Sequence, residues 1–160
     1  KLEYYGLKDN TLHLLKSYLD TRCQYIEYNN CQSKFLTINC GVPQGSILGP
    51  LLFIIYMNDL HLATNICHPI IYADDSTLTT TLQSTGDLIS EAAINKELHN
   101  VHDWLKLKKL SLNASKTKGM IFHTSQRNIT YPKLYMQDTQ IEFVKHFNFL
   151  GFVLDENISW

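Results

Sequence analysis

The chain has 160 residues, of which 44% are hydrophobic and 18% are charged, and its formal net charge is −1 at pH 7. This length and composition are typical of one globular domain or of a part of a larger protein. A net charge so close to zero is unlike that of a simple nucleic-acid-binding module, which is usually basic. It does not exclude a catalytic chain, because carboxylates at an active site can offset the lysines.

The first third of the chain predicts a helix, a hairpin and a second helix. Leucines at helical spacing predict a helix over residues 10–19. Residues 24–28 and 34–38 are typical of strands, and the five residues between them suit a turn. The apolar run 51–57 follows Pro50, which a first helical turn tolerates, so it predicts a helix that is buried on every side.

The middle of the chain predicts a second hairpin and the longest helix. Residues 69–73 form a short apolar strand and residues 76–81 its return arm, with Asp74 and Asp75 between them. Apolar residues at helical spacing then predict a helix over residues 88–106.

The last third predicts further strands at residues 119–123, 133–136 and 140–144, and a closing patterned segment at 147–154. Helices mixed with antiparallel hairpins indicate an α+β fold, with the helices on one face of an antiparallel sheet. We expect one domain over residues 1–160.

The two ends of the sequence do not resemble those of a finished protein. The first residue is Lys1 rather than methionine, and Trp160 directly follows a patterned segment, so we expect a piece of a longer reading frame.

The four cysteines form no Cys-x-x-Cys pair, which disfavours a zinc site. The sequence shows no secretory signal, which disfavours disulfide bonds. We therefore expect reduced thiols and an intracellular protein, in the cytoplasm, the nucleus or both. No apolar run approaches the roughly 20 residues that a transmembrane helix needs.

The adjacent carboxylates of the second hairpin predict a metal site. Side chains alternate between faces along a strand, so Asp74 and Asp75 can point to one side only where the chain turns. Two such carboxylates repel each other, and a divalent cation such as Mg²⁺, which prefers oxygen ligands, relieves the repulsion. A polar hairpin tip without a metal is the simpler alternative, because aspartate is common in turns.

Several blocks of the chain, taken in order, resemble reverse transcriptases of non-LTR, LINE-like retrotransposons. The blocks are KLEYYG at 1–6, which resembles the segment after motif A; GVPQGSILGPLLF at 41–53 with Asn58-Asp59-Leu60, motif B; YADD at 72–75, motif C; LNASKTK at 112–118, motif D; and FLGF at 149–152 with Asp155 and Trp160, motif E. The resemblance covers almost the whole chain.

This resemblance implies a partial reverse-transcriptase palm, which is a ferredoxin-like antiparallel sheet with helices on one face. It implies an RNA-directed DNA polymerase, in which a primer 3′-hydroxyl attacks the α-phosphate of an incoming nucleotide. The implied partners are an RNA template, a DNA primer and deoxynucleoside triphosphates, with no membrane. The implied cofactor is Mg²⁺ or Mn²⁺.

The resemblance also assigns catalytic residues. Asp74 and Asp75 would hold the metal, and Lys116 would lie near the leaving pyrophosphate as a proton donor, with Lys118 as a competitor for that role. The alternative for either lysine is an ordinary solvated side chain. Asp59 ends the apolar helix, where an anchoring role is a better interpretation than that of a third metal ligand.

Four further residues would contact substrates. Gln44 and Gly45 would lie against the template and the incoming nucleotide, because glycine lets the backbone approach a ligand closely. The small Ala73 would let the primer end approach the metals, with Tyr72 beside it. The structural alternatives are an ordinary turn for the first pair and core strand residues for the second.

One motif of the family has no match. Motif A carries the first metal-binding aspartate and would precede Lys1. Two-metal catalysis needs both ions to be held tightly, so we expect the 160-residue chain to be inactive by itself. A decayed or domesticated remnant that only binds RNA is the alternative function. The residue sequence of motif B and the closing Phe-Leu-Gly block disfavour a group II intron maturase or a telomerase.

Overall fold

The structure is a computed structural model, and it describes residues 1–81, 90–124, 126 and 129–158. The helices are α1 (Asp9–Leu19), α2 (Leu48–Met57) and α3 (Glu91–Leu107), with short 3-10 helices at Leu60–Ala63 and Ala114–Lys116. The strands are β1 (Cys23–Gln24), β2 (Glu27–Tyr28), β3 (Cys31–Gln32), β4 (Leu36–Thr37), β5 (His68–Tyr72), β6 (Asp75–Thr79), β7 (Lys118–Gly119), β8 (Tyr135–Met136), β9 (Thr139–Gln140), β10 (Glu142–Phe143), β11 (His146–Phe149) and β12 (Phe152–Asp155).

The chain divides into two compact units. The first contains Lys1–Asp59 and Ile71–Ser76, and the second contains Leu60–Ile70 and Thr77–Trp160. The predicted mixture of helices and strands is confirmed, and the described strands form two-stranded sheets. The ferredoxin-like arrangement and the single domain stay predictions.

The first unit begins with the helix and the hairpin that the sequence predicts. Helix α1 is confirmed, with Leu15 buried and Asp9 in the first turn, where a carboxylate complements the helix dipole. The hairpin forms as two short antiparallel ladders, β1 with β4 and β2 with β3. Its turn has two residues rather than five, because Asn29 and Asn30 both have a positive φ, of 48° and 59°. Asparagine tolerates this conformation, which is that of a type I′ turn.

Helix α2 confirms one prediction and corrects another. Pro50 lies in its first turn, as predicted, and Leu52 and Met57 are buried. The predicted burial on every side is wrong, because Leu51 and Ile54 are 54% and 57% exposed. In a helix that is apolar on every side, the sequence does not distinguish the buried face from the exposed one. Only one face of α2 packs in this unit.

Helix α3 organises the second unit. Ser90 caps it, since its hydroxyl accepts a hydrogen bond from the backbone N–H of Ala93 at 3.1 Å. Its apolar stripe packs on strand β8, and the core there contains Ile94, Leu98, Met136 and Ile141. The predicted helix is confirmed from Glu91 onward, while its predicted first residues, 88 and 89, lie outside the described part of the chain.

The later strands are shorter than predicted. Strand β7 pairs in parallel with β10, and the predicted strand over residues 120–123 is wrong. In that segment the His123 N–H donates to the Glu156 carbonyl at 2.9 Å, but these described residues form no ladder. Strands β8 and β9 form the predicted hairpin, and β11 and β12 form another around Leu150 and Gly151. None of the helices in the described residues has the length and hydropathy that a membrane-spanning segment needs.

Candidate active site

The paired aspartates lie at the tip of a tight hairpin. Strand β5 ends at Tyr72 and β6 begins at Asp75, so that Ala73 and Asp74 form the connection. Ala73 has a φ of 51°, in the left-handed region that a residue with a Cβ seldom adopts. Both residues are exposed, and Asp74 lies in the turn rather than in a strand, so the alternation that would separate the two carboxylates in a straight strand does not apply. The predicted hairpin tip is therefore confirmed.

The side chain of Tyr72 does not support the core alternative. It is 64% exposed, and Ala73 is exposed as well. The structural interpretation that both residues pack in a core is therefore wrong. Both side chains are accessible to a substrate.

Side-chain hydrogen bonds tie the two arms at the base of the hairpin. The hydroxyl of Thr79 donates to the carbonyl of His68 at 3.2 Å, and the hydroxyl of Thr80 donates to the carbonyl of Ile66 at 3.0 Å. Two threonines on the return arm thus fix the first residues of the outgoing arm.

A buried carboxylate from α3 meets the segment just before β5. Glu97 is 4% exposed, and its Oε2 accepts hydrogen bonds from the backbone N–H groups of Asn65, Ile66 and Cys67 at 2.7, 3.1 and 3.4 Å. Burial alone would raise the pKa of Glu97, but these hydrogen bonds outweigh it and hold the pKa below its usual value. Burial, and then the charge of Glu97, raise the pKa of the Cys67 thiol.

The spacing of Glu97 in the sequence indicates that it is buried, although a charged residue is normally assigned to the surface. Glu97 lies three positions after Ile94, next to Leu98 and four positions before Val101, so it shares the buried face of α3. A carboxylate in an apolar stripe needs a dedicated partner, and this pattern identifies it without a structure.

The loop of residues 41–50 is held by its own side chains. Ser46 Oγ donates to the Pro43 carbonyl at 2.7 Å and accepts from the Gly49 N–H at 3.0 Å. A Cβ on Gly49 would lie 3.1 Å from the Pro43 carbonyl oxygen, so the close approach requires glycine. Gly45 has a φ of 76°, and both Gln44 and Gly45 are exposed.

Arg22 also supports this loop, a contact that the sequence analysis did not predict. Its Nη2 donates to the Gly41 carbonyl at 2.5 Å, and its Nε donates to the Leu19 carbonyl at 3.0 Å. The guanidinium thus joins the end of α1 to the start of the loop. Nothing near Arg22 in the sequence indicates a partner 19 residues away.

The two candidate lysines differ in their contacts. Lys118 pairs with Glu142 at 2.6 Å. Lys116 is exposed on the 3-10 helix that Asn113 caps, and its ammonium has no ion pair within the described residues. Asp59 pairs with Lys1 at 2.6 Å, which supports the anchoring role that the sequence suggested for it.

The candidate residues fall into two groups. Gln44, Gly45 and residues 72–75 belong to the first unit, whereas Lys116 belongs to the second. Within the described residues, no three His, Cys, Asp or Glu side chains cluster as metal ligands do. The donor chemistry of Asp74 and Asp75 nevertheless fits Mg²⁺, because both are accessible oxygen ligands on adjacent residues.

The ordered motifs have a match in a known family. The family model for reverse transcriptase (RNA-dependent DNA polymerase) matches residues 2–154. The chain belongs to the reverse transcriptase family. The resemblance to reverse transcriptases on which the sequence interpretation depends is therefore confirmed.

Curated relatives of this reverse transcriptase chain come from Drosophila mobile elements. It is 27% identical over 158 residues to the probable RNA-directed DNA polymerase from transposon X-element of Drosophila melanogaster, which covers 92% of the chain and 16% of the relative. It is 26% identical over 161 residues to the polymerase from mobile element jockey of Drosophila funebris, with coverages of 96% and 17%. The probable RNA-directed DNA polymerase from transposon BS of Drosophila melanogaster is 28% identical over 166 residues, with coverages of 98% and 17%.

The chain thus spans about one-sixth of the length of these relatives. No solved structure matches it significantly.

Proposed function

We propose that this chain is the palm segment of an RNA-directed DNA polymerase and that it carries the metal-binding carboxylates of nucleotidyl transfer. The observation that supports this most directly is the hairpin tip, where Asp74 lies in the two-residue turn, Asp75 begins the return strand, and both are exposed. The motif order and the family match give the tip its context. The ferredoxin-like palm, the single partial domain and the intracellular location are parts of the same proposal.

In the proposed reaction the primer 3′-hydroxyl attacks the α-phosphate of a deoxynucleoside triphosphate. A new P–O bond forms to the primer, the bond to the pyrophosphate breaks, and the hydroxyl proton passes to solvent water. Bound Mg²⁺ or Mn²⁺ supplies stabilisation of the charge that develops on the attacking and leaving oxygens. Asp74 and Asp75 would hold it, and the remaining ligands would come from substrate, water and a carboxylate of the longer polypeptide.

Other residues bind and orient in this proposal. Gln44 and Gly45 contact the template and the incoming nucleotide, since both are exposed on a loop that Ser46 ties together through hydrogen bonds to Pro43 and Gly49. Ala73 keeps the primer end free of a bulky side chain, next to the exposed Tyr72 ring. Lys116 supplies a proton to the leaving pyrophosphate, while Lys118 is held by Glu142. An RNA template and a DNA primer are the implied partners.

Primer extension on an RNA template tests this proposal. In the full-length polymerase that contains this chain, Asp74→Asn and Asp75→Asn should each lower extension with Mg²⁺ by at least about 100-fold, because each removes a charged metal ligand. The isolated 160-residue chain should show no extension, since it lacks the motif A carboxylate.

A matched control comes from a second hairpin of the same chain. Asp138 follows Gln137, whose φ of 56° resembles that of Ala73, so it occupies a similar turn without a second aspartate. Asp138→Asn should leave extension unchanged. Extension retained by Asp74→Asn would remove the aspartates from the catalytic role, and RNA binding without extension would favour the non-catalytic remnant.

A further inference from the structure

Glu97 is a buried carboxylate that the proposed chemistry does not use. Among the polar and charged residues that the structure describes, it is the one that is buried. A buried charge is tolerated only when it is well hydrogen-bonded, and four hydrogen bonds to Glu97 all come from one short segment, residues 65–67. Three come from consecutive backbone N–H groups, and the fourth comes from the Asn65 side chain to Oε1 at 3.3 Å.

The segment that Glu97 holds leads directly into the candidate active site. Cys67 immediately precedes β5, and the turn that contains Asp74 begins directly after β5. Ile66 is held at both ends of its backbone, because its N–H donates to Glu97 and its carbonyl accepts from Thr80, just after β6. Helix α3 therefore fixes the outgoing arm of the hairpin, and the return arm is tied to the same residue.

We propose that Glu97 is a positioning residue of the polymerase. It fixes the first residues of β5 on α3, and thereby the origin of the hairpin that carries Asp74 and Asp75. The inference rests on the proposed function, since it assigns Glu97 a part in that reaction through the metal ligands. Glu97 itself contacts neither substrate nor metal.

The chemistry of the contact requires a carboxylate. An ionised carboxylate is an acceptor only, so one oxygen can face three N–H donors that converge on it. A glutamine of the same shape offers one carbonyl oxygen without a full charge, and its NH₂ group would face the Asn65 amide donor. The substitution Glu97→Gln therefore weakens the contact while it preserves the volume of the side chain.

Hydrogen exchange on the 160-residue chain tests the local part of this inference. In Glu97→Gln, the amides of Ile66 and Cys67 and those of β5 should exchange about tenfold faster, because their anchor is weakened. The amides of Leu98 and Val101 in α3 should change by less than about twofold without denaturant, where exchange occurs through local openings rather than through global unfolding. A purely structural role of Glu97 would instead accelerate both sets together.

A matched control lies on the same helix. Glu91 is exposed, and its Oε2 accepts one backbone N–H, from Lys133 at 2.9 Å, on a segment that does not lead to the hairpin. Glu91→Gln should leave exchange at Ile66 and Cys67 unchanged. If Glu97→Gln does not fold, Asn65→Ala removes only the side-chain donor to Oε1 and should accelerate the same amides by about two- to fivefold.

Steady-state kinetics of the full-length polymerase test the functional part. Glu97→Gln should lower kcat by about tenfold with the KM for nucleotide within about twofold, because displaced metal ligands affect the transition state more than ground-state binding. Glu91→Gln should change neither.

The outcomes separate this inference from the proposed function. Extension that survives Asp74→Asn would overturn the proposed function, whatever Glu97 does. If Asp74→Asn abolishes extension while Glu97→Gln leaves kcat and hairpin exchange unchanged, the positioning role alone is wrong. Uniform acceleration of the α3 and hairpin amides would also overturn it.

Discussion

Ala73 shows how a single residue of the tip departs from ordinary backbone preferences. Its φ of 51° is unfavourable for a side chain with a Cβ, and glycine would adopt it without strain. The exposed position offers no packing that would explain alanine there. Strained positions often occur at functional sites, where the surroundings fix them, and this agrees with the proposed place of Ala73 beside the primer end.

Replacing Ala73 with glycine should therefore stabilise the chain. We expect Ala73→Gly to raise the free energy of unfolding by about 0.5–1 kcal/mol, because relief of strain exceeds the added entropy of the unfolded chain. The same substitution at the exposed helical residue Ala92 should lower it by about 0.5 kcal/mol. Urea denaturation measures both. Equal losses for the two variants would show that Ala73 is unstrained.

Glu97 gives the stability of the chain a defined dependence on pH. Its pKa is lower in the folded chain than its ordinary value of 4.5, so the unfolded state takes up the proton first as the pH falls. The stabilisation is complete above about pH 4.5 and is lost as the pH falls through the folded pKa.

Urea denaturation between pH 7 and pH 3 should show this loss. Glu97→Gln should lower stability by about 1–3 kcal/mol at pH 7 and should remove part of the acid dependence. Glu156, whose pKa is lowered by its hydrogen bond from Tyr131, contributes in the same direction in both proteins, so the difference between the curves isolates Glu97. Parallel curves would contradict a lowered pKa for Glu97.

At the scale of elements, the helices were predictable and the strand lengths were not. Helical periodicity is local, so the leucines of α1 and the stripe of α3 identify both helices. A strand also needs a partner, and residues 120–123 have no ladder although the apolar run Met120-Ile121-Phe122 favours one. The hairpin tip was predictable from adjacent aspartates, whereas the contacts of Glu97 and Arg22 join distant segments and were not.

The parallel pairing of β7 with β10 depends on a glycine. A Cβ on Gly119 would lie 2.9 Å from Cε1 of Phe143, directly across the pair, and the Phe143 ring also packs on Tyr131 with centroids 5.3 Å apart. Gly119→Ala should destabilise the chain by about 1–3 kcal/mol. Adding Phe143→Leu should make the glycine substitution cost less, as a double-mutant cycle by urea denaturation would measure. Simple additivity would show that the ring moves aside freely.

At the scale of the whole molecule, family membership was predictable from the sequence, but which helix faces are buried was not. The motif order needs no structure, because each block carries its own residue types. Burial of α2 depends on which segments pack against it, and Leu51 and Ile54 remain exposed in this chain. The relatives are about six times as long as the chain, and we propose that the polymerase activity belongs to such a longer protein.

Binding of Mn²⁺ at the hairpin tip tests the central claim most directly. Mn²⁺ broadens the NMR signals of nearby amides, and in the 160-residue chain we expect it to broaden residues 73–76 selectively. Asp74→Asn and Asp75→Asn should each abolish this effect, while Asp138→Asn should preserve it. Equal broadening at the Gln137–Asp138 turn, or selective broadening that survives loss of either tip aspartate, would contradict a metal site at the paired carboxylates.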